Sequence, residues 1–382
     1  MWIELTEDID KCLENITNPM SKYAIALNTV FDSMIKGLHI VYASRKRLDN
    51  IQKADYINPS IKYFIEWIKC NYVYIYSCKS IVDYKIIITL DSEIVVKGNT
   101  FYVPLIYFYD FRETKFLTEN ESDADFFRYI YEFIRKDKKI ADMYSICLEN
   151  DSFHGGNVQS KILQIAKENR IALCIVDSDR EMKGRSRGST FGGANKVYSK
   201  IKANHVFVLR ELESREKENL LPPYAYLLIC KEKKDVLQAL NACEENEKII
   251  RYFDIKDGIK LGVFEDKVWQ NYYKDLIDKL NNLGAIHQPA SNKDKKFVCI
   301  DGIGGFLCEE ACRVYLDEKE VSEDIINKRN IDEETKELIR NLRMSFKENL
   351  PTYMYKEWEE IHKIMFSWGC CISKNRLPNY RM

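Results

Sequence analysis

Acidic side chains placed just beyond apolar, strand-like runs are the groups in this chain best suited to chemistry. Phe116-Leu117-Thr118 leads into Glu119, with Asp123 four residues on, and Ile171-Ala172-Leu173-Cys174-Ile175-Val176 leads into Asp177-Ser178-Asp179. A parallel α/β sheet brings the carboxyl ends of its strands to one edge, so acids far apart in sequence can meet there. Carboxylates gathered in this way repel one another unless a cation neutralises them. Hard oxygen ligands select Mg²⁺ or Mn²⁺, ions that activate water, hold a phosphate and stabilise a leaving oxygen. Two further acids, Glu216 and Glu218, follow a later strand-like run and belong to the same candidate set. Metal-dependent phosphodiester chemistry is what these residues predict.

Basic groups follow the Asp-x-Asp. From Arg180 to Lys202 the chain carries Arg180, Lys183, Arg185, Arg187, Lys196, Lys200 and Lys202 against one acid, Glu181, with Gly184, Gly188, Gly192 and Gly193 between them. Backbone N–H groups and guanidinium forks in such a loop can approach phosphates, which makes Arg180, Lys183, Arg185, Arg187 and Lys196 nucleic-acid-binding candidates. His154, in Asn150-Asp151-Ser152-Phe153-His154-Gly155-Gly156-Asn157, opens onto the same edge, either to meet a phosphate or to occupy a turn before a helix. Lys374, in Ser373-Lys374-Asn375-Arg376, is a candidate cation for the leaving group.

The elements that must position these groups alternate. Strands over 115–119, 143–148, 171–177 and 205–210, with helices over 123–136, 157–169 and about 193–203 between them, give βαβ units and a parallel sheet. Before them, residues 1 to about 70 show helical spacing at Ala24, Leu27, Val30, Phe31, Met34, Ile35 and Leu38. Residues 72–109 read as β-rich, through Val73-Tyr74-Ile75-Tyr76, Ile86-Ile87-Ile88-Thr89-Leu90 and Phe101-Tyr102-Val103. After Pro222-Pro223 a further strand is expected over Tyr226 to Cys230, and Cys308 to about Phe366 reads as charged and mostly helical. The expected fold class is α/β, with a parallel sheet flanked by helices, a helical and β N-terminal region and a mostly helical C-terminal region. The division is 1–112 as a partner or regulatory surface, 113–235 as the catalytic domain and 236–382 as the mixed, mostly helical remainder.

A chain of 382 residues with 46% hydrophobic content can bury large cores. Its 58 Lys plus Arg nearly balance 59 Asp plus Glu, so any nucleic-acid contact must be local. The acidic start and the lack of a long apolar run argue for a cytoplasmic protein without a membrane span or signal peptide. Most of the 12 cysteines read as small core residues in a reducing compartment. Cys308, Cys312, His362, Cys370 and Cys371 also form a candidate zinc set, although no Cys-x-x-Cys pair is present. No Gly-x-x-x-x-Gly-Lys-Ser/Thr loop occurs, so a need for ATP or for sensing would fall to a separate regulatory protein, an ATPase among the candidates.

The segments Thr118-Glu119-Asn120-Glu121-Ser122-Asp123 and Val176-Asp177-Ser178-Asp179 resemble the glutamate and Asp-x-Asp motifs of the TOPRIM (topoisomerase-primase) domain. Asn120 stands where that family usually has Gly, a replacement that a residue tolerant of positive φ would allow. The run Arg215-Glu216-Lys217-Glu218-Asn219-Leu220 is similar to the segment after the last core strand of OLD-type nucleases and of TOPRIM effectors in bacterial anti-phage systems such as PARIS. The resemblance covers about residues 113–225. It implies a TOPRIM-like sheet in which Glu119 serves as metal ligand or general acid-base group, Asp177 and Asp179 hold Mg²⁺ or Mn²⁺, and Asp123 and Glu218 assist a second ion. The expected activity is metal-dependent endonucleolytic cleavage of DNA or RNA, as a toxic effector in anti-phage defence controlled by a partner protein. A non-catalytic nucleic-acid-binding scaffold and a primase-like nucleotidyl transferase are the alternatives.

Overall fold

The computed structural model describes residues 1–382 except 17, 228, 244–245, 291–292, 306–307, 309–310, 312–331 and 379–382. Short apolar runs near the start, which read equally as helix or strand, become buried strands. β1 (Trp2–Leu5) and β2 (Ile40–Tyr42) join β3 (Lys85–Thr89), β4 (Val95–Lys97) and β5 (Thr100–Pro104) in a sheet of order β2-β1-β3-β5-β4. Only β4 runs antiparallel to its neighbour. Within residues 1–70, expected to be helical and helical for the most part, β1 and β2 are the correction. With Trp2, Ile3 and Leu5 all buried, β1 shows no in-out alternation from which a strand could be read.

Helices α1 (Glu7–Asn15), α2 (Lys22–Ile35), α3 (Arg45–Lys53), α4 (Pro59–Cys70) and α5 (Tyr72–Ser77) complete this part. α5 overturns the strand expected at Val73–Tyr76. Val73, Tyr74 and Tyr76 are exposed, Ile75 is fully buried, and Asn71 N–H donates to the Trp67 carbonyl, carrying the chain almost directly from α4 into the next helix. Tertiary context overrides the β preference of Tyr, Val and Ile here.

The second sheet is the one the alternation predicts. β6 (Thr114–Thr118), α6 (Glu121–Asp137), β7 (Tyr144–Ile146), β8 (Leu148–Ser152), α7 (Val158–Lys167), β9 (Ala172–Val176), α8 (Ser189–Ile201) and β10 (Phe207–Glu211) follow in turn. Four of these strands form an all-parallel sheet of order β10-β9-β6-β8. Successive side chains go to opposite faces: Phe116, Leu173 and Ile175 join the core that holds α6, while Leu117, Cys174 and Val176 join Val158, Ile162, Ile165, Phe191 and Ala194 of α7 and α8. The helix Thr352–Gly369 shares the α6 face, where His362 stacks on Tyr131 at 4.9 Å and Trp358 meets Phe133 edge-on at 5.3 Å. The C-terminal segment is thus built onto the central sheet.

Further differences from the sequence reading have local causes. The strand expected over 143–148 divides at Cys147, whose N–H donates to the Gly369 carbonyl at 2.8 Å. β11 (Gly258–Lys260) pairs with β12 (Val298–Asp301), and β13 (Cys370–Ile372) pairs antiparallel with β7. The strand expected over Tyr226–Cys230 is replaced by the helix Pro223–Leu227, which Pro223 begins with its fixed φ. Within the zinc set, Cys312 lies outside the described residues, Cys370 and Cys371 are core residues of β13, and His362 faces the Tyr131 carbonyl. The cysteines among the described residues are free, and no helix among those residues is long and apolar enough to cross a membrane.

Candidate metal centre

The strand order of the four-stranded sheet reverses between β6 and β9, since the chain passes from β6 out to β8 and then back to the other side. Ligands of open α/β sheets bind beyond the strand ends at such a switch point. Leu117 pairs with Cys174, and the same offset carried forward sets Glu119 level with Val176, one residue short of Asp177. The two predicted acidic strand ends therefore flank the crevice.

Each end is fixed by its own backbone. Asn120 caps α6 with φ −130°, extended and not left-handed, so it serves in place of the expected Gly as an N-cap. Its N–H donates to Asp123 Oδ2 at 2.9 Å, and the other oxygen of Asp123 accepts from Lys217 Nζ. Asp123 is thereby engaged as a cap and ion-pair partner beside the crevice. On the other side, Asp179 is the residue in left-handed conformation, φ 51°. The N–H groups of Ser178 and Asp179 both donate to the Arg215 carbonyl at 2.9 Å, and Gly188 N–H donates to the Ser178 carbonyl at 3.0 Å. A Cβ at Gly188 would lie 2.1 Å from Asp179 Oδ2, so this glycine makes room for the carboxylate.

Glu216 and Glu218 arrive on a 3₁₀ turn, Lys217–Leu220, which Glu216 caps while Asn219 anchors it to the Ile250 and Phe253 carbonyls at 2.6 and 2.8 Å. Glu218 is 2% exposed, and its Oε2 has no hydrogen-bond donor. Lys256 Nζ lies 3.6 Å from that oxygen and 2.9 Å from Glu216 Oε2.

The electrostatics are those of like charges held close. Asp177 is pushed well above the ordinary carboxylate range by burial and then by the Glu218, Glu216 and Asp123 charges. Burial also raises Glu119, helped by Asp123, Asp179 and Glu216, and raises Asp179, helped by Glu216. Glu218 is raised by burial against the pull of Lys256 and Lys217. Burial pulls Lys256 down, but the Glu218, Glu216 and Asp177 carboxylates outweigh it and hold the ammonium strongly protonated. Sequence reasoning missed Lys256: Ile255-Lys256-Asp257-Gly258 looks like any solvated turn until the acids around it are known.

Six carboxylates, Glu119, Asp123, Asp177, Asp179, Glu216 and Glu218, thus meet three cations, Lys217, Lys256 and Arg215. Among the described residues, no three His, Cys, Asp or Glu are placed to chelate an ion as they stand, and Lys256 sits among the acids. The donor set still fits a hard dication. All its ligands are oxygens, charge is in acidic excess, and one buried carboxylate oxygen lacks a donor.

The remaining predicted residues divide. His154 reaches the same edge, its N–H donating to the Glu119 carbonyl at 3.0 Å and its Nε2 lying 3.0 Å from Ser152 Oγ. Arg180 and Arg187 both hold Glu211, at 3.0 and 2.8 Å, and Arg185 holds Asp266 at 2.7 Å. Lys183 and Lys196 are exposed. Lys374 lies with Ser145, Cys147 and Leu148 beside the start of β8, at the opposite end of the sheet from Glu119. Comparisons with protein-family models, with curated proteins and with solved structures return no match for the chain.

Proposed function

We propose that the protein is a metal-dependent endonuclease of TOPRIM type, hydrolysing phosphodiester bonds of DNA or RNA with Mg²⁺ or Mn²⁺. The observation that carries this reading is the convergence of Glu119, Asp177, Asp179, Glu216 and Glu218 at one switch point, with carboxylate charge in excess of the cations that face it. Glu119, Asp177 and Asp179 would hold the ion, with Glu216 and Glu218 behind them. When bound, the ion supplies a nucleophilic water at neutral pH and charge stabilisation at the phosphate. Glu119, half-buried and raised in proton affinity, is placed to take a proton from an attacking water. Lys256 neutralises the acids when no dication is present and can turn toward a phosphate when one is. Lys183 and Lys196 offer phosphate contacts, while Arg180 and Arg187 brace the loop through Glu211. Control by a partner protein, as in anti-phage effectors, extends this reading by analogy of motif.

A second reading rests on Lys256 itself. If the ammonium permanently takes the place of an ion, the crevice is a binding scaffold. Incubation with nucleic acid and Mn²⁺ separates the two. Cleavage that disappears in both Glu119→Gln and Asp177→Asn supports the nuclease. Absence of both cleavage and Mn²⁺ binding by calorimetry leaves the scaffold.

A further inference from the structure

Toward the end of the four-stranded sheet away from the acids, α6, β7, β8 and β13 enclose an open groove of about 760 Å³. That volume lies within the roughly 300–1,000 Å³ of small-molecule sites. The lining includes two cations, Arg128 and Lys374, and no Asp or Glu. Its charge is the reverse of the acidic crevice.

The two cations are free to meet an anion. Arg128 Nη2 donates to the Leu148 carbonyl at 2.7 Å and to Asn150 Oδ1 at 2.5 Å, so the guanidinium is held against the groove wall by neutral groups. Its Nε and Nη1 donate to no protein group among the described residues, and neither atom is sealed from solvent. Burial pulls Arg128 below its ordinary value, and Asp125 offsets this from beyond ion-pair distance. A half-buried cation without a carboxylate partner gains from an anion that enters beside it. Lys374 is exposed, and among the described residues it too has no ion-pair partner. Both cations act on one thiol of the lining: burial pushes Cys147 up, with help from Glu113, while Lys374 and Arg128 pull against it.

The turn that carries Lys374 is pinned in place. Ser373 N–H donates to the Met143 carbonyl at 2.8 Å, Ser373 Oγ donates to the Asp142 carbonyl at 2.7 Å, and Arg376 N–H closes the turn on the Ser373 carbonyl. Gly37 lies beneath the lysine stem, since a Cβ there would stand 3.5 Å from Lys374 Cγ. Neighbouring cations are already engaged, Lys36 by Asp32 and Lys115 by Glu149, both at 2.6 Å. Two lining charges suffice for one phosphate group but not for a basic track along a nucleic-acid backbone. The side chains of Ser145 and Asn375 make no hydrogen bond among the described residues and are left to meet the rest of a ligand.

We propose that this groove binds a phosphate monoester of nucleotide size, with Arg128 and Lys374 on the phosphate. A monoester carries close to two negative charges at neutral pH, which two cations match, whereas a diester carries one. The guanidinium fork fits two phosphate oxygens and the ammonium supplies a point charge. Such a phosphate can belong to a free nucleotide or to the 5′ end of a strand. The site does not depend on whether the acids cleave.

Metal-free protein is titrated by calorimetry with adenosine 5′-monophosphate, with adenosine, and with a single-stranded oligonucleotide bearing or lacking a 5′-phosphate. Adenosine 5′-monophosphate is expected to bind roughly tenfold or more tightly than adenosine, the scale of a charge-assisted contact. That advantage should vanish in Lys374→Glu, at an exposed position, and in Arg128→Gln, which keeps a donor for the Leu148 carbonyl. Equal affinity for nucleotide and nucleoside, or an undiminished advantage in both variants, overturns the site whatever the outcome for cleavage. A strand that binds as tightly as the nucleotide only when phosphorylated upholds the site with a strand end as its ligand. A strand indifferent to its 5′-phosphate, beside tight binding of adenosine 5′-monophosphate, upholds it with a free nucleotide.

Discussion

The two larger sheets end in opposite ways. At the carboxyl edge of the five-stranded sheet, Arg47 caps β1 by donating Nη1 to the Leu5 carbonyl at 2.9 Å. It holds Asp10 Oδ2 with Nε and Nη2 at 3.1 and 2.9 Å, and Asn50 takes the other Asp10 oxygen. One acid meets one cation, and both are satisfied. At the corresponding edge of the four-stranded sheet, acids outnumber cations, carboxyl pKa values are driven up, and a buried oxygen of Glu218 is left without a donor. A fold needs only the first arrangement. The second is a standing electrostatic cost, which is why buried like charges with perturbed protonation point to a ligand or a reaction.

Exchanging charge at each edge should therefore give opposite phenotypes. Glu119→Gln or Asp177→Asn is expected to lower cleavage by about a thousandfold or more, the scale of removing an electrostatic or metal-holding group, with the circular dichroism spectrum unchanged. Asp10→Asn should leave cleavage intact and cost about 1–3 kcal/mol in chemical denaturation, because Arg47 loses its charge partner. Activity loss in Asp10→Asn, or survival of activity in Asp177→Asn, would erase the contrast.

Lys256 sharpens it. In Lys256→Ala the acids lose an internal counter-ion, so the metal-free protein should be destabilised by about 3 kcal/mol, the scale of removing one partner from a buried pair. Added Mn²⁺ should then raise Tm more in the variant than in the parent, since the ion no longer competes with an ammonium. An equal Mn²⁺ shift in both proteins would show that Lys256 and the ion do not share the site.

How much of this was legible follows from where the information lies. The central sheet could be read because each strand is an unbroken apolar run and each helix repeats at its own period. Glu119, Asp177 and Asp179 could be read because they stand immediately after strands. β1 and β2 could not, being four and three residues long and without alternation. The ion pairs of the loop arginines could not be read, because the choice of Glu211 and Asp266 as their partners is made only by tertiary structure. Lys256 carried no local signal at all. It is an ordinary lysine given its role by acids that arrive from three other segments.

Acid offers a probe that bypasses the crevice. Burial holds His362 down to about 4, with its Nε2 unpartnered against the α6 face, and burial together with the N-terminal charge holds His39 well below its usual value. The folded state keeps His362 neutral while the unfolded chain protonates near pH 6.5, so protons favour unfolding as pH drops through that value. The loss levels off near pH 4, after about 3 kcal/mol for His362 alone. In His362→Phe, which keeps the stack on Tyr131, the slope of stability between pH 6.5 and 4 should flatten. An unchanged slope would place the acid sensitivity elsewhere.

The finest distinction is between two glycines of the same loop and helix. At Gly188 a Cβ would stand 2.1 Å from Asp179 Oδ2 and 2.3 Å from Asp179 Cβ, so Gly188→Ala must displace the carboxylate or the loop that carries it. At Gly192, exposed on α8, an added Cβ meets nothing within 4 Å, and alanine there improves helix propensity by roughly 0.5–1 kcal/mol. Gly192→Ala should raise Tm slightly and leave cleavage alone, whereas Gly188→Ala should lower cleavage by about tenfold to a hundredfold, the effect of misplacing a reacting group by about an ångström. The folded state tolerates the second change as long as Asp179 can move. If Gly188→Ala cleaves as well as Gly192→Ala, the position of Asp179 is immaterial to the reaction, and the metal-holding role falls to Glu119, Asp177 and the glutamates behind them.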